Sequence, residues 1–289
     1  MVTPAQVEFT QLSHELNALS RRDITQGMKL AKYKKSAGSM LKKDPIAGNT
    51  LLGLIACLEH DITSMHAFHK AAISISESCF SLMYYAASLE KSCLWNESAR
   101  YAMFALDHEP NNLKLIDTVV RIAPLTGRFS LLKRLLTQRQ QLTGGLPHCC
   151  DGDYEIILGI LSKHGVLEKD LKDVVTAIGD ALSETDVIVQ NFQYDLVTES
   201  EERPFIHFRF QIPDQFVASY YEDLIAAKLE SVPYHPRILD AFSYSVENST
   251  VYELYSFMEK ELEESADTIR VPDPDKMKLI EELIEGVEI

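Results

Sequence analysis

For most of its length the chain places apolar residues three and four positions apart, and near residue 187 that spacing gives way to alternation. The first pattern marks amphipathic helices, the second half-buried strands. Val7, Phe9, Leu12, Leu16 and Leu19 follow a rough helical stripe after the start signal Thr3-Pro4, which predicts a helix over 5–20. A second is expected from the cap residue Asp23 to Leu41. Asp44-Pro45 then opens a run of helical pairs that lasts to Leu142. Thr143-Gly144-Gly145-Leu146-Pro147 is a cluster of breakers and reads as a domain boundary. Two further helices follow, Tyr154–Lys163, closed by His164-Gly165, and Glu168–Leu182.

From Asp186 the period is two. Val187–Leu196 alternates at its end, with Phe192, Tyr194 and Leu196 opposite Gln193 and Asp195. Pro204–Ile212 sets Ile206, Phe208, Phe210 and Ile212 against Phe205, His207, Arg209 and Gln211. The polar link Thr198–Glu202 reads as their hairpin. Pro213-Asp214 ends the strand and caps a helix over Gln215–Glu230, which Pro233 and Pro236 stop. Ile238–Val246 is read as a third strand, Asn248-Ser249 as the cap of a helix to Ala266, and Asp273-Pro274 as the start of a last helix to Glu285. The order β-β-α-β-α predicts a small antiparallel sheet with helices collected on one face. The expected fold is mainly α, with helical repeats over 1–145 and an acidic α+β domain over 146–289. Within the latter, 151–185 is helical and 186–289 holds the sheet and its helices.

The helical pairs repeat. Leu94-Trp95-Asn96 lies over Arg128-Phe129-Ser130, so that Cys93 falls on Gly127 and Trp95 on Phe129, with a step of about 34 residues. One step earlier, shortened by a residue, His60 and Ile62 take the same places. The first unit pairs Ile46–Leu58 with Thr63–Ser76 and carries Leu52-Gly53, a large residue followed by a small one where two helices cross closely. Phe68, Ala71 and Ala72 of the second helix are expected to face the first. The second unit has Tyr85-Ala86, Leu89, Trp95, Ala102 and Ala105 in frame and closes on Asp107-His108-Glu109-Pro110-Asn111-Asn112. The third, Leu113–Leu142, keeps Val120, Gly127, Phe129 and Leu132, but Pro124 should end its first helix early.

Over residues 44–142 this pattern resembles the tetratricopeptide-repeat family. The resemblance implies a right-handed superhelix whose concave face, lined by the first helix of each pair, holds a peptide or helix of a partner. It places Thr50, Leu54, Phe80, Met83, Tyr84, Ala87, Lys91, Asp117 and Arg121 on that face. Members that grip a carboxylate tail use a clamp of Lys, Arg and Asn. Here only Lys91 and Arg121 remain beside an acidic Asp117, so the groove fits an apolar segment instead.

Charge divides the chain unevenly. Its net charge is −15, yet residues 1–150 hold 17 Lys and Arg against 12 Asp and Glu, and residues 151–289 hold 11 against 31. An acidic C-terminal half does not suit phosphate contacts. The basic helix with Lys29, Lys32, Lys34, Lys35, Lys42 and Lys43 offers a nucleic-acid reading, which the near absence of stacking aromatics opposes. No apolar run reaches the roughly 20 residues of a bilayer span, and the first residues lack a secretory pattern. Five cysteines fit no metal spacing, and the pair Cys149-Cys150 has no second pair to complete a site. A reducing cytoplasm is expected, without cofactor or metal.

No phosphate loop, dinucleotide fingerprint or nucleophile elbow is present. His207 and Arg209 with Asp214 and His235 form the sharpest polar set, as a general base beside an anion holder, but alternation alone places such pairs on the solvent face of a sheet. His60, His66 and His69 offer metal donors, although Phe68 and Ala72 beside them mark a surface next to core. Glu259, Glu261, Glu263 and Glu264 read as a solvated helix face. The expectation is therefore a non-enzymatic adapter, chaperone or regulator that binds another protein through Leu54, Phe80, Met83, Tyr84, Ala87, Lys91 and Arg121. Its acidic half would bind a second partner or self-associate. The competing reading is an effector enzyme whose C-terminal domain acts while the repeats recruit its target.

Overall fold

The computed structural model describes residues 4–17, 28–189, 191–198, 204–213 and 216–249. Asp23 and Asp214, the expected helices after Ser249 and the glutamate run at 259–264 lie outside them. The described chain is mostly helical, with consecutive packed helices and one small sheet. Helices α1 (Pro4–Asn17) and α2 (Met28–Lys43) precede three hairpins. These are α3 (Pro45–Leu58) with α4 (Ile62–Ile75), α5 (Cys79–Lys91) with α6 (Trp95–His108), and α7 (Leu113–Ile122) with α8 (Phe129–Thr143). Among the described residues no helix is long and apolar enough to cross a membrane.

The sequence repeat is written into the backbone. His60, Cys93 and Gly127, the three aligned residues, all adopt a left-handed conformation, at φ 60°, 61° and 63°. The residue after each donates its amide five positions back: Asp61 to the Ala56 carbonyl at 2.9 Å, Leu94 to Leu89 at 2.9 Å, and Arg128 to Ala123 at 3.3 Å. The left-handed residue itself bonds Cys57, Glu90 or Pro124. That pair of bonds is the Schellman closure, which satisfies terminal carbonyls while reversing the chain. The second helices then start at Ile62, Trp95 and Phe129, the aligned positions. Pro124 acts as expected, with α7 ending at Ile122 and a short 3₁₀ turn over Pro124–Thr126.

Small residues set the crossing points. A Cβ on Gly53 would stand 2.6 Å from the His69 ring, so α3 and α4 approach only because Gly53 has none. One repeat later Ala86 is fully buried, and its carbonyl accepts the Ser98 hydroxyl at 2.8 Å across the next crossing.

After Gly144-Gly145 come α9 (Asp153–His164) and α10 (Glu168–Ser183). Helix α10 runs across the hairpin turns. Its Gly179 lets Trp95 approach, since a Cβ there would meet the indole at 2.8 Å. Glu168 caps α8 by accepting the Ser130 amide at 2.7 Å, and Asn96 donates to Thr176 at 3.1 Å. Strands β1 (Asn191–Val197), β2 (Phe205–Pro213) and β3 (Phe242–Ser249) form one sheet in that order. The alternation on β2 holds, with Ile206, Phe208, Phe210 and Ile212 buried and Phe205, His207, Arg209 and Gln211 half-buried. Phe210 stacks on Trp95 at 5.4 Å between centroids, with the ring planes nearly parallel. One continuous core thus runs from Leu82 to Val246.

Two expectations for this sheet are corrected. It is mixed, not antiparallel: β1 and β2 are antiparallel, but β3 lies parallel to β2. The reason is the intervening α11 (Ala218–Ser231), which carries the chain back to the end where β2 began. The third strand also starts later than Ile238, because Ile238–Ala241 forms a short helix, α12, that buries Ile238 and Ala241.

Candidate functional site

The face expected to bind a partner lies on the first helices of the hairpins, and the structure divides its residues. Thr50 and Leu54 on α3 are buried; the Thr50 hydroxyl is spent on the Ile46 carbonyl at 2.8 Å, and Leu54 packs in a core with Phe9. The residues on α5 are more open. Phe80 is 38% exposed, while Met83, Tyr84 and Ala87 are half-buried. Phe9 of α1 reaches across and meets both rings, 4.9 Å from Phe80 and 5.2 Å from Tyr84 edge-on. Phe80 and Tyr84 are themselves 4.9 Å apart. The outcome is a three-ring aromatic cluster, anchored from beneath by a buried Phe9 and open at Phe80.

Its charged rim is held by internal partners. Arg121 forms a two-pronged ion pair with Glu90, tying α7 to the end of α5. Asp117 accepts from Arg139 at 2.8 Å. Lys91 is half-buried, and burial, followed by the positive charge of Arg121, lowers its ammonium below the ordinary lysine value. Of the two cations expected on this face, Arg121 is thus engaged within the fold and Lys91 is half-buried.

The other sequence candidates resolve differently. Both ring nitrogens of His207 face hydroxyls of the neighbouring strand, Ser243 at 2.8 Å and Ser245 at 3.2 Å. Arg209 pairs with Asp195 of β1, with Nη2 donating to Oδ1 at 3.2 Å and Nε 2.8 Å from Oδ2. His235 turns back on its own loop, where Nδ1 accepts the Arg237 amide at 3.3 Å. His207 and Arg209 thus cross-link the three strands of the sheet.

His66 and His69 sit against Tyr85 and not around a common point. His69 is fully buried, hydrogen-bonds the Ser88 hydroxyl at 2.8 Å and stacks on the Tyr85 ring; His66 Nδ1 bonds the Tyr85 hydroxyl. Burial and His66 hold the His69 imidazole down to about 3. On α2 the buried stripe Leu30, Ala37 and Met40 leaves the lysines exposed, with Lys34 on Glu59 at 2.6 Å and Lys43 on Glu8 at 3.1 Å.

Phe9 belongs in sequence to an ordinary helical stripe, and nothing local announces that it lands on α5. His148 directly precedes the Cys149-Cys150 pair, a signal present in the sequence that acquires meaning only through the loop's conformation. Comparison with known proteins finds no family model, curated protein or solved structure that matches this chain.

Proposed function

We propose that this chain is a non-catalytic interaction protein of tetratricopeptide-like build that holds an apolar helical or extended segment of another protein against α5. The observation that carries the reading is the aromatic cluster. Phe80 stays exposed although Phe9 and Tyr84 already pack beside it, and a large ring at the centre of a surface cluster is the type of residue that anchors interfaces. Three hairpins with the same turn support it, because stacked repeats display first-helix faces side by side. Five free thiols suit a reducing compartment, and we place the protein in the cytoplasm.

The test uses the full chain with a photo-crosslinking amino acid at position 80 and, in a second preparation, at the exposed Lys70 on α4. A partner captured from position 80, absent from position 70, and displaced by untagged parent chain but not by untagged Phe80→Ala chain would support the reading. Capture that is equal from both positions, or displaced by Phe80→Ala as well as by the parent, would overturn it. A thermal melt of Phe80→Ala confirms that the variant is folded.

A further inference from the structure

We propose that the loop between α8 and α9 is a metal site in which His148, Cys149 and Cys150 bind a thiophilic closed-shell cation of the zinc(II) class. Among the described residues these three are brought together as a set of potential metal ligands, with their donor atoms within 4.8 Å of one another. The Cys149 sulfur is 3.8 Å from the Cys150 sulfur and 3.8 Å from His148 Nδ1. A tetrahedral ion with bonds of about 2.3 Å to sulfur and about 2.0 Å to nitrogen requires separations of roughly 3.8 Å and 3.6 Å along those edges. The loop holds its donors at close to that spacing.

Local chemistry explains why. Asp151 folds the turn, as its carboxylate accepts the His148 amide at 2.7 Å while its own amide donates to the His148 carbonyl at 3.0 Å. Gly152, at φ 84°, supplies the left-handed step into α9. The Cys150 amide donates to His148 Nδ1 at 3.1 Å, so the ring's lone pair is turned into the loop on the side of the thiols. A bound ion would take that lone pair over from the amide. Because the turn is already closed, binding needs little further ordering of the chain.

The surroundings fit a site with one open position. Cys149 is exposed and Cys150 and His148 are half-buried, so the set of three protein donors opens to solvent at Cys149 and leaves a fourth place for water or an external ligand. Behind them Tyr194 donates to the buried Asp153 carboxylate at 2.7 Å. That pair fixes the floor of the loop to β1 and sets a negative group behind the cation, the kind of outer support that metal sites use.

The test is zinc(II) titration of the reduced full chain against a chromogenic chelator, with alkylation mapped by mass spectrometry. One equivalent of zinc is expected to bind and to shield Cys149 and Cys150 from iodoacetamide. Cys149→Ser/Cys150→Ser should weaken uptake by about 100-fold or more, and His148→Ala by at least about 10-fold. His66→Ala should bind as the parent does. No stoichiometric uptake, uptake unaffected by the double serine variant, or alkylation of Cys149 unaffected by zinc would each overturn the proposal. So would a thiol pair found only as a disulfide that takes up no zinc once reduced. Circular dichroism of each variant shows whether a loss reflects the site or the fold.

Discussion

His60 and Cys93 hold a left-handed backbone without being glycine. There the Cβ crowds the following carbonyl, at a cost of roughly 1–2 kcal/mol. His60 also buries its Nδ1 without a hydrogen-bond partner. His60→Gly is therefore expected to raise stability by about 1 kcal/mol, read as a higher urea midpoint at unchanged slope. Gly127 is the converse case. A Cβ there would stand 2.6 Å from the Lys172 Cα in addition to the backbone strain, so Gly127→Ala should cost about 3 kcal/mol in the same measurement. His69 carries a pH dependence. Its folded value of about 3 against an ordinary 6.5 means that the unfolded chain binds a proton that the folded chain refuses. The stability from its neutral state is fully present above 6.5 and falls with pH below it, by about 1.4 kcal/mol per unit until the folded value is reached. His69→Gln retains a partner for Ser88 but does not titrate, so its urea midpoint should fall less steeply than the parent's between about pH 6 and 4. Parallel slopes would refute the assignment.

Among the elements, α10 and β2 meet the hairpins at a single side chain. Trp95 is buried, stacks on Phe210 and lies against the Cβ-free surface of Gly179. Trp95→Ala should cost about 3–5 kcal/mol, and Trp95→Phe much less, because the smaller ring still stacks. Equal losses in chemical denaturation would mean that the stack contributes little. The way these elements were legible follows from the range of the forces that fix them. Hairpin turns are local: Cys93 and Gly127 aligned in the sequence, and the same Schellman closure formed at both. The face of β2 was legible for the same reason, since Ile206, Phe208, Phe210 and Ile212 carry their own alternation. Which neighbour β3 pairs with, and in which direction, depends on where α11 returns the chain, and no residue of β3 encodes that. Ile238-Leu239-Asp240-Ala241 is a short apolar run that suits strand or helix alike until tertiary burial of Ile238 and Ala241 decides. The aromatic cluster on α5 was half legible. Phe80 and Tyr84, four residues apart, share a face of α5 as helical spacing dictates, but Phe9 arrives from far along the chain and joins Leu54 in one buried cluster.

At the scale of the whole molecule, the breakers at Thr143–Pro147 separate two stretches of sequence that share one core. Leu82, Trp95, Phe129 and Leu135 on one side belong to the same buried cluster as Ile160, Ile178, Phe208 and Phe242 on the other. Exposed Gly144 and Gly145 connect them, and α10 spans two hairpin turns through Glu168, Thr176 and Gly179. A cut in an exposed loop removes a covalent link but uncovers none of that apolar surface, and the hydrophobic term scales with surface uncovered. Splitting the halves, in contrast, would expose the Trp95–Phe210 stack and the apolar face of the sheet together. A protease site placed after Gly145 and cleaved in the folded protein should therefore leave two fragments that co-elute in size exclusion and melt in one transition. Dissociation, or two separate transitions, would show that each side holds its own core and that the contact across the boundary is weak. Co-elution would tie the α5 face to the sheet mechanically: a partner gripping Phe80 would then act on one cooperative body, and Trp95→Ala would be expected to weaken both the assembly and its hold on that partner.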